Sequence, residues 1–233
     1  MQKYELMIDI ETLDTKQSAV VLSIGAVIWE NRRRDDEGGV HWNLVEDFYQ
    51  VLDIDSQISR GRTVSQSTLL WWMDQDQEAR DAAFVPAEFR VGPKVALTKL
   101  FDWVEAFNNS ELVKSEYMCF DVTRYWASPN TFDFPIIENL AEDFKHPTVW
   151  FYNQKRDVRT VIDEASYSVD DHKYYPEHHD NLERIPTDLA HHPLYDCCWQ
   201  IDVLTAARSK LNRKRIVTKE VEPWDIKNDY LLF

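Results

Sequence analysis

The chain has 233 residues, enough to bury one sizeable core without needing a second. Its 26 Lys and Arg against 41 Asp and Glu give a net charge of −15, which excludes a protein that coats nucleic acid through a basic surface. Hydrophobic residues are 44% of the chain while Gly numbers 5 and Pro 9, which excludes fibrous and low-complexity classes.

In chain order, residues 4–10 form a short apolar run that predicts a buried strand, and 19–29, rich in Val and Ile, a second. Residues 31–39 are charged and end in Gly-Gly, predicting a hairpin loop into a third strand at 41–52. The pattern then turns helical. Residues 65–83 predict one helix with Ser67 as N-cap and Leu69, Trp72 and Met73 on one side. Residues 94–107 predict another, because Val95, Leu97, Leu100, Phe101, Val104 and Phe107 recur at three and four. Strands are expected at 117–121 and 148–152, and helices at 131–144, capped by Asn130 or Thr131, and at 157–165. Residues 167–189, rich in Asp, His, Pro and Tyr, predict an irregular loop. A last helix from 193 to about 211 precedes a polar tail over about 212–233. Three leading strands followed by alternating helices and strands predict a single α/β domain over 1–233, with a mixed β-sheet flanked by helices on both sides.

Cys119, Cys197 and Cys198 have neither disulfide nor zinc spacing, and no apolar run approaches transmembrane length, so a reducing, cytoplasmic setting and no membrane partner are expected.

Three short segments carry chemistry. In Asp9-Ile10-Glu11, at the end of the first strand, residues two apart share a face, so two carboxylates stand side by side. Hard oxygen donors of this kind suit Mg²⁺ or Mn²⁺. In His191-His192-Pro193-Leu194-Tyr195-Asp196, Pro193 suits a first helical turn, which leaves His191 in the loop before it and Asp196 inside it. A histidine beside a metal site is a natural base for taking a proton from water. Asp133 sits in the first turn of a helix among apolar neighbours. Taken singly, each fits solvated acids at strand and helix ends equally well.

Together they form a pattern. Asp9, Glu11, Asp133 and Asp196, with His191 five positions before the last acid, resemble the motifs of the histidine-type branch of the DEDD exonucleases, the DEDDh type. A tyrosine-type member would carry Tyr at position 192, which is His. Ser67-Thr68-Leu69-Leu70-Trp71-Trp72 and Arg156-Asp157-Val158-Arg159-Thr160 further resemble the phage exonuclease A group and its bacterial exoribonuclease relatives. The resemblance implies a ribonuclease-H-like fold and 3′→5′ hydrolysis at a single-stranded nucleic-acid end, with DNA favoured and RNA the alternative. It also implies two Mg²⁺ or Mn²⁺ ions held by the four acids, His191 as general base, and the host cytoplasm as setting if a phage encodes the chain. Thr12, Leu13, Trp126, Ser128 and Phe132 are the expected contacts to the terminal nucleotides, with Trp71 and Trp72 as further stacking surfaces. An exposed Trp-rich helix would also serve a homodimer. Two other readings are a hydrolase of small phosphodiesters and a non-catalytic binding module; the second expects one of the five site residues to be missing, and all are present.

Overall fold

The computed structural model describes residues 4–32, 41–110, 113, 122–169 and 189–220. In chain order the elements are β1 (Tyr4–Thr12), β2 (Val21–Arg32), β3 (His41–Val51), α1 (Ile54–Ile58), α2 (Gln66–Met73), α3 (Gln77–Ala83), α4 (Pro93–Asn108), β4 (Tyr125–Ala127), α5 (Asp133–Asp143), β5 (Lys155–Asp157), α6 (Val158–Ala165) and α7 (Pro193–Glu220). The sheet order is β3-β2-β1-β4-β5. The first three strands form an antiparallel meander, and β4 and β5 run parallel to β1. This is a ribonuclease-H-like α/β arrangement.

Every residue of β1 is buried, so its alternation divides two layers rather than core from solvent. Tyr4, Leu6, Ile8 and Ile10 join a core with Leu97, Leu100, Val104 and Phe107 of α4 and Phe134 and Ile137 of α5. Glu5, Met7, Asp9 and Glu11 alternate with them onto the opposite face. There Met7, Val27 and Trp29 pack against Val158 of α6 and Leu194, Cys197, Cys198, Ile201 and Leu204 of α7. The helices therefore cover both sides of the sheet. None among the described residues is long and apolar enough to cross a membrane.

Glu5 is wholly enclosed, a costly place for a charge unless paired. It bonds Arg208 at 2.8 Å, Arg124 at 3.3 Å and the Asn31 amide at 3.1 Å. This ties α7 to the N-terminal end of β1.

Several elements depart from expectation. The 65–83 helix is two helices broken at Asp74-Gln75-Asp76, where acids favour caps and turns over helix interior. Its N-cap is Ser65, whose hydroxyl accepts from Thr68 N–H, and not Ser67. Trp72 alone of its expected side turns inward, its indole N–H donating to the Thr12 carbonyl at 3.0 Å, while Leu69 and Met73 are exposed. On α4 the buried face includes Ala96, and Val95 points to solvent. Neither Asn130 nor Thr131 caps α5, which begins behind Phe132 without a side-chain cap. No strand forms at 148–152. Trp150 is drawn into the core between Tyr125 and Phe134, leaving Phe151 and Tyr152 exposed, and the strand is Lys155–Asp157. The last helix continues to Glu220, past the expected start of the tail. The expected strand at 117–121 and residues 170–188 of the expected loop lie outside the described residues.

Candidate active site

The strands β1, β4 and β5 run parallel, and their carboxyl ends meet at one edge, the usual place for a ligand cleft in open α/β sheets. Beyond β1 stand Asp9 and Glu11. Beyond β4 the chain passes Ser128 and Pro129, joined by a cis peptide, and enters α5 at Asp133. Beyond β5, Asp157 holds both neighbouring segments: one carboxylate oxygen accepts from Asn130 N–H at 3.0 Å, and the other from Thr160 N–H at 2.8 Å. That clamp sets the loop bearing Ser128 beside the first turn of α6 bearing Arg159.

The fourth wall is the start of α7, laid against β1 and β2. Gly25 of β2 pairs with Asp9 and makes this approach possible. A Cβ on Gly25 would stand 2.5 Å from Pro193 Cβ, 2.7 Å from Pro193 carbonyl carbon and 2.9 Å from Leu194 N. Only a residue without a side chain lets the helix press so close. The apolar stripe of α7 then anchors it, and Asp196 comes over the acids of β1.

His191 lies in the turn before α7 with φ 65°, a left-handed conformation that non-glycine residues rarely hold unless their surroundings impose it. Its ring meets Trp71 edge to face at 4.7 Å. One potential ligand atom each from Glu11, His191 and Asp196 lie within 4.8 Å of one another. The cleft they share with Asp9 and Asp133 has a volume of about 530 Å³. Its donors are carboxylates and one imidazole, and Asp133 Oδ2 is buried with no hydrogen-bond partner among the described residues, so the set fits a hard divalent cation.

The electrostatics agree. Burial first, and then the charges of Asp133 and Asp196, push the Asp9 carboxyl well above its ordinary range, against the hydrogen bond from Gln200. Burial, with Asp9 as the next cause, does the same to Glu11. Burial raises Asp133 to about 7, opposed by backbone amides and the Arg159 charge, and raises Asp196 to about 7, opposed by the His191 amide. Burial lowers His191, which favours a neutral imidazole.

The structure thus brings all five expected catalytic residues together. Of the expected nucleotide contacts, Ser128 and Phe132 line the cleft. Thr12 and Leu13 are buried, Leu13 packing against Trp72 and Leu22, and Trp126 lies in the core under α7, beneath the Arg208 guanidinium at 4.7 Å. These three are held inward by packing that strand position alone does not reveal. Of the tryptophan pair, Trp72 is core and Trp71 lines the cleft. His192 is buried against the Tyr49 ring at 4.6 Å, and its Nδ1 accepts from Leu194 N–H; burial depresses it to about 4. It is a structural residue, which leaves His191 as the site's imidazole.

Sequence reasoning missed Gln200 and gave Arg159 no role, although both line the cleft. Gln200 follows Asp196 by one helical turn and so shares its face, a signal available from spacing. Gly25, a lone glycine in a Val/Ile strand, carries the ordinary mark of a close approach.

Known proteins resemble this chain. The family model described as "3'-5' exoribonuclease Rv2179c-like domain" matches residues 4–207. An exodeoxyribonuclease of Enterobacteria phage T4 is 26% identical over 220 residues, covering 85% of this chain and 86% of the relative. Among solved structures, a product-bound exonuclease I shares 14% identity at a TM-score of 0.49, covering 93% of this chain. The chain spans under half the length of that protein, 46%. The nuclease domain of 3'hExo, a DEDDh family member bound to rAMP, shares 11% identity at a TM-score of 0.43, with 94% of each chain covered.

Proposed function

The chain belongs to the family of Rv2179c-like 3′-5′ exoribonuclease domains, and from that premise we propose that it removes nucleotides one at a time from the 3′ end of single-stranded DNA, using two divalent cations. It is a 3′→5′ exonuclease of the DEDDh type. The observation that carries the proposal is the convergence of Asp9, Glu11, Asp133, Asp196 and His191 on one cleft. Support for DNA comes from the phage relative, named an exodeoxyribonuclease and matched over most of both chains. RNA is the second reading, favoured by the description of the family model.

Asp9, Glu11, Asp133 and Asp196 would hold Mg²⁺ or Mn²⁺, which when bound supplies positive charge beside the scissile phosphate and acidifies water. His191 accepts the proton of the attacking water, and its burial-lowered pKa keeps the ring free to do so at neutral pH. The water oxygen joins phosphorus as the bond to the 3′ oxygen breaks, leaving a nucleoside 5′-monophosphate and a strand shorter by one. Among the described residues Arg159 is the only Lys or Arg on the cleft wall, where it would offer its charge to a phosphate of a bound strand. Trp71 and Phe132 offer ring surfaces to the bases.

The test uses 5′-labelled DNA and RNA of one sequence with Mg²⁺, Mn²⁺ or EDTA. A metal-dependent ladder shortening from the 3′ end is expected, faster on DNA. Faster shortening of RNA would transfer the proposal to RNA, and no shortening of either polymer would end it. His191→Gln should lower kcat by about 10²–10⁴ with Mn²⁺ affinity reduced far less. Trp71→Ala should raise KM for a long strand by about tenfold or more, on the scale of one stacked base. An unchanged KM would remove Trp71 from the substrate contacts.

A further inference from the structure

Gln200 is a buried amide in a cleft that also holds four acids. It projects from α7 on the face of Asp196, one turn further along. Its Nε2 donates to Asp9 Oδ1 at 2.8 Å, joining residues 191 positions apart. Its Oε1 is buried and has no hydrogen-bond partner among the described residues. With Asp9 ionised, as a bound cation requires, the orientation follows from chemistry: turning the amide over would set two acceptor oxygens against each other. The carbonyl is therefore left without a donor, an arrangement that folding alone disfavours and that marks a group kept for a ligand.

We propose that Gln200 is a positioning residue for the cation site. Its N–H fixes the Asp9 carboxylate by engaging Oδ1, which leaves Oδ2 for a divalent ion. Its Oε1 takes a hydrogen bond from water brought in with that ion. Groups that orient a metal-holding carboxylate in this way typically change metal affinity by tenfold to a hundredfold. The proposal rests on the reading of the cleft as a metal-dependent nuclease site.

The experiment measures Mn²⁺ binding by calorimetry and by electron paramagnetic resonance for the full chain, alongside Gln200→Leu and Gln200→Met, with melting in EDTA and kinetics on a single-stranded oligonucleotide. Both variants should bind Mn²⁺ about tenfold to a hundredfold more weakly and show lower kcat with KM for the oligonucleotide unchanged. Both should melt in EDTA no lower than the parent, because each removes an unpaired buried carbonyl. Gln200→Glu, which replaces the donor with an acceptor, should bind Mn²⁺ differently from both apolar variants and lose the Asp9 bond. A residue that merely holds the fold would behave in the opposite way, with lower melting in EDTA and unaltered Mn²⁺ affinity, and that result overturns the proposal. A raised KM alone would also overturn it, by making Gln200 a substrate contact. If the parent chain binds no Mn²⁺, the metal-site reading itself fails; if parent and variants bind equally, only the role of Gln200 does.

Discussion

Gly25→Ala is expected to lower nuclease activity on the order of a hundredfold and to lower stability at once, although the substitution adds a single methyl group. Non-bonded carbons rest at about 3.5–4.0 Å, and the new Cβ would lie 2.5 Å from Pro193 Cβ and 2.7 Å from its carbonyl carbon. Those atoms belong to the first turn of α7, where no flexible side chain can yield. The helix must rise by something near 1 Å or the strand must bend. Overpacking of this kind costs roughly 1–3 kcal/mol. The rate suffers more, because Asp196 and His191 ride on the displaced turn, and a misplacement of about 1 Å can cost on the order of 10² in rate. Thermal melting, kcat/KM and Mn²⁺ affinity should all fall together. Activity within about tenfold of the parent would show that α7 tolerates the extra atom and that Gly25 does not set the site.

In EDTA the chain is expected to become less stable as pH rises from about 4 to about 7. Asp133 and Asp196 are each raised to about 7, and Asp9 and Glu11 are shifted upward as well. The unfolded chain loses these protons near the ordinary carboxylate value, whereas the folded chain keeps those of Asp133 and Asp196 until about 7 and those of Asp9 and Glu11 above their ordinary range. His192, depressed to about 4, and His191, also lowered by burial, work the other way but are two groups against four. Between those limits the folded state binds more protons, so stability falls with rising pH. A carboxyl whose proton is held one pH unit past its ordinary value costs about 1.4 kcal/mol once ionised, so the buried acids together oppose folding by several kcal/mol above pH 7. A bound divalent ion reverses the effect. The rise in melting temperature on adding Mn²⁺ should therefore be large at pH 8 and small at pH 5. Asp133→Asn should melt higher than the parent in EDTA at pH 8 while losing on the order of a thousandfold or more in rate. A flat apo melting curve between pH 5 and 8, or a lower melting point for Asp133→Asn, would contradict this account.

The five residues that converge on the cleft were legible from their joint pattern, helped by strongly marked local structure: an apolar strand for Asp9 and Glu11, and Pro193 opening a helix behind His191. The meander and the long helices were legible for the same reason, since their apolar periods are long. Short elements were not. β4 and β5 are three residues each, formed by pairing with β1 and with each other and too short to show an apolar period. Lys155 to Asp157 contains no apolar residue, and the apolar run before it is spent on a Trp150 side chain buried between two rings. The substrate wall was half legible. Ser128 and Phe132 follow from adjacency to Asp133, but Thr12, Leu13 and Trp126 turn inward through packing with distant residues, and Arg159 arrives through the clamp made by Asp157.

The bond between Gln200 and Asp9 joins two ends of the described chain, 191 positions apart. Half of the candidate site is thus synthesised long before the other half. While α7 is still being made, β1 exposes a row of acids with nothing to complete it. A chain stopped before residue 191 has no His191, no Asp196 and no nuclease centre, however well its sheet has formed. Such long-range closure is slow by topology. On the proposed assignment of the site, cleavage by a growing chain has to wait until the turns of α7 that carry Asp196 and Gln200 have been made.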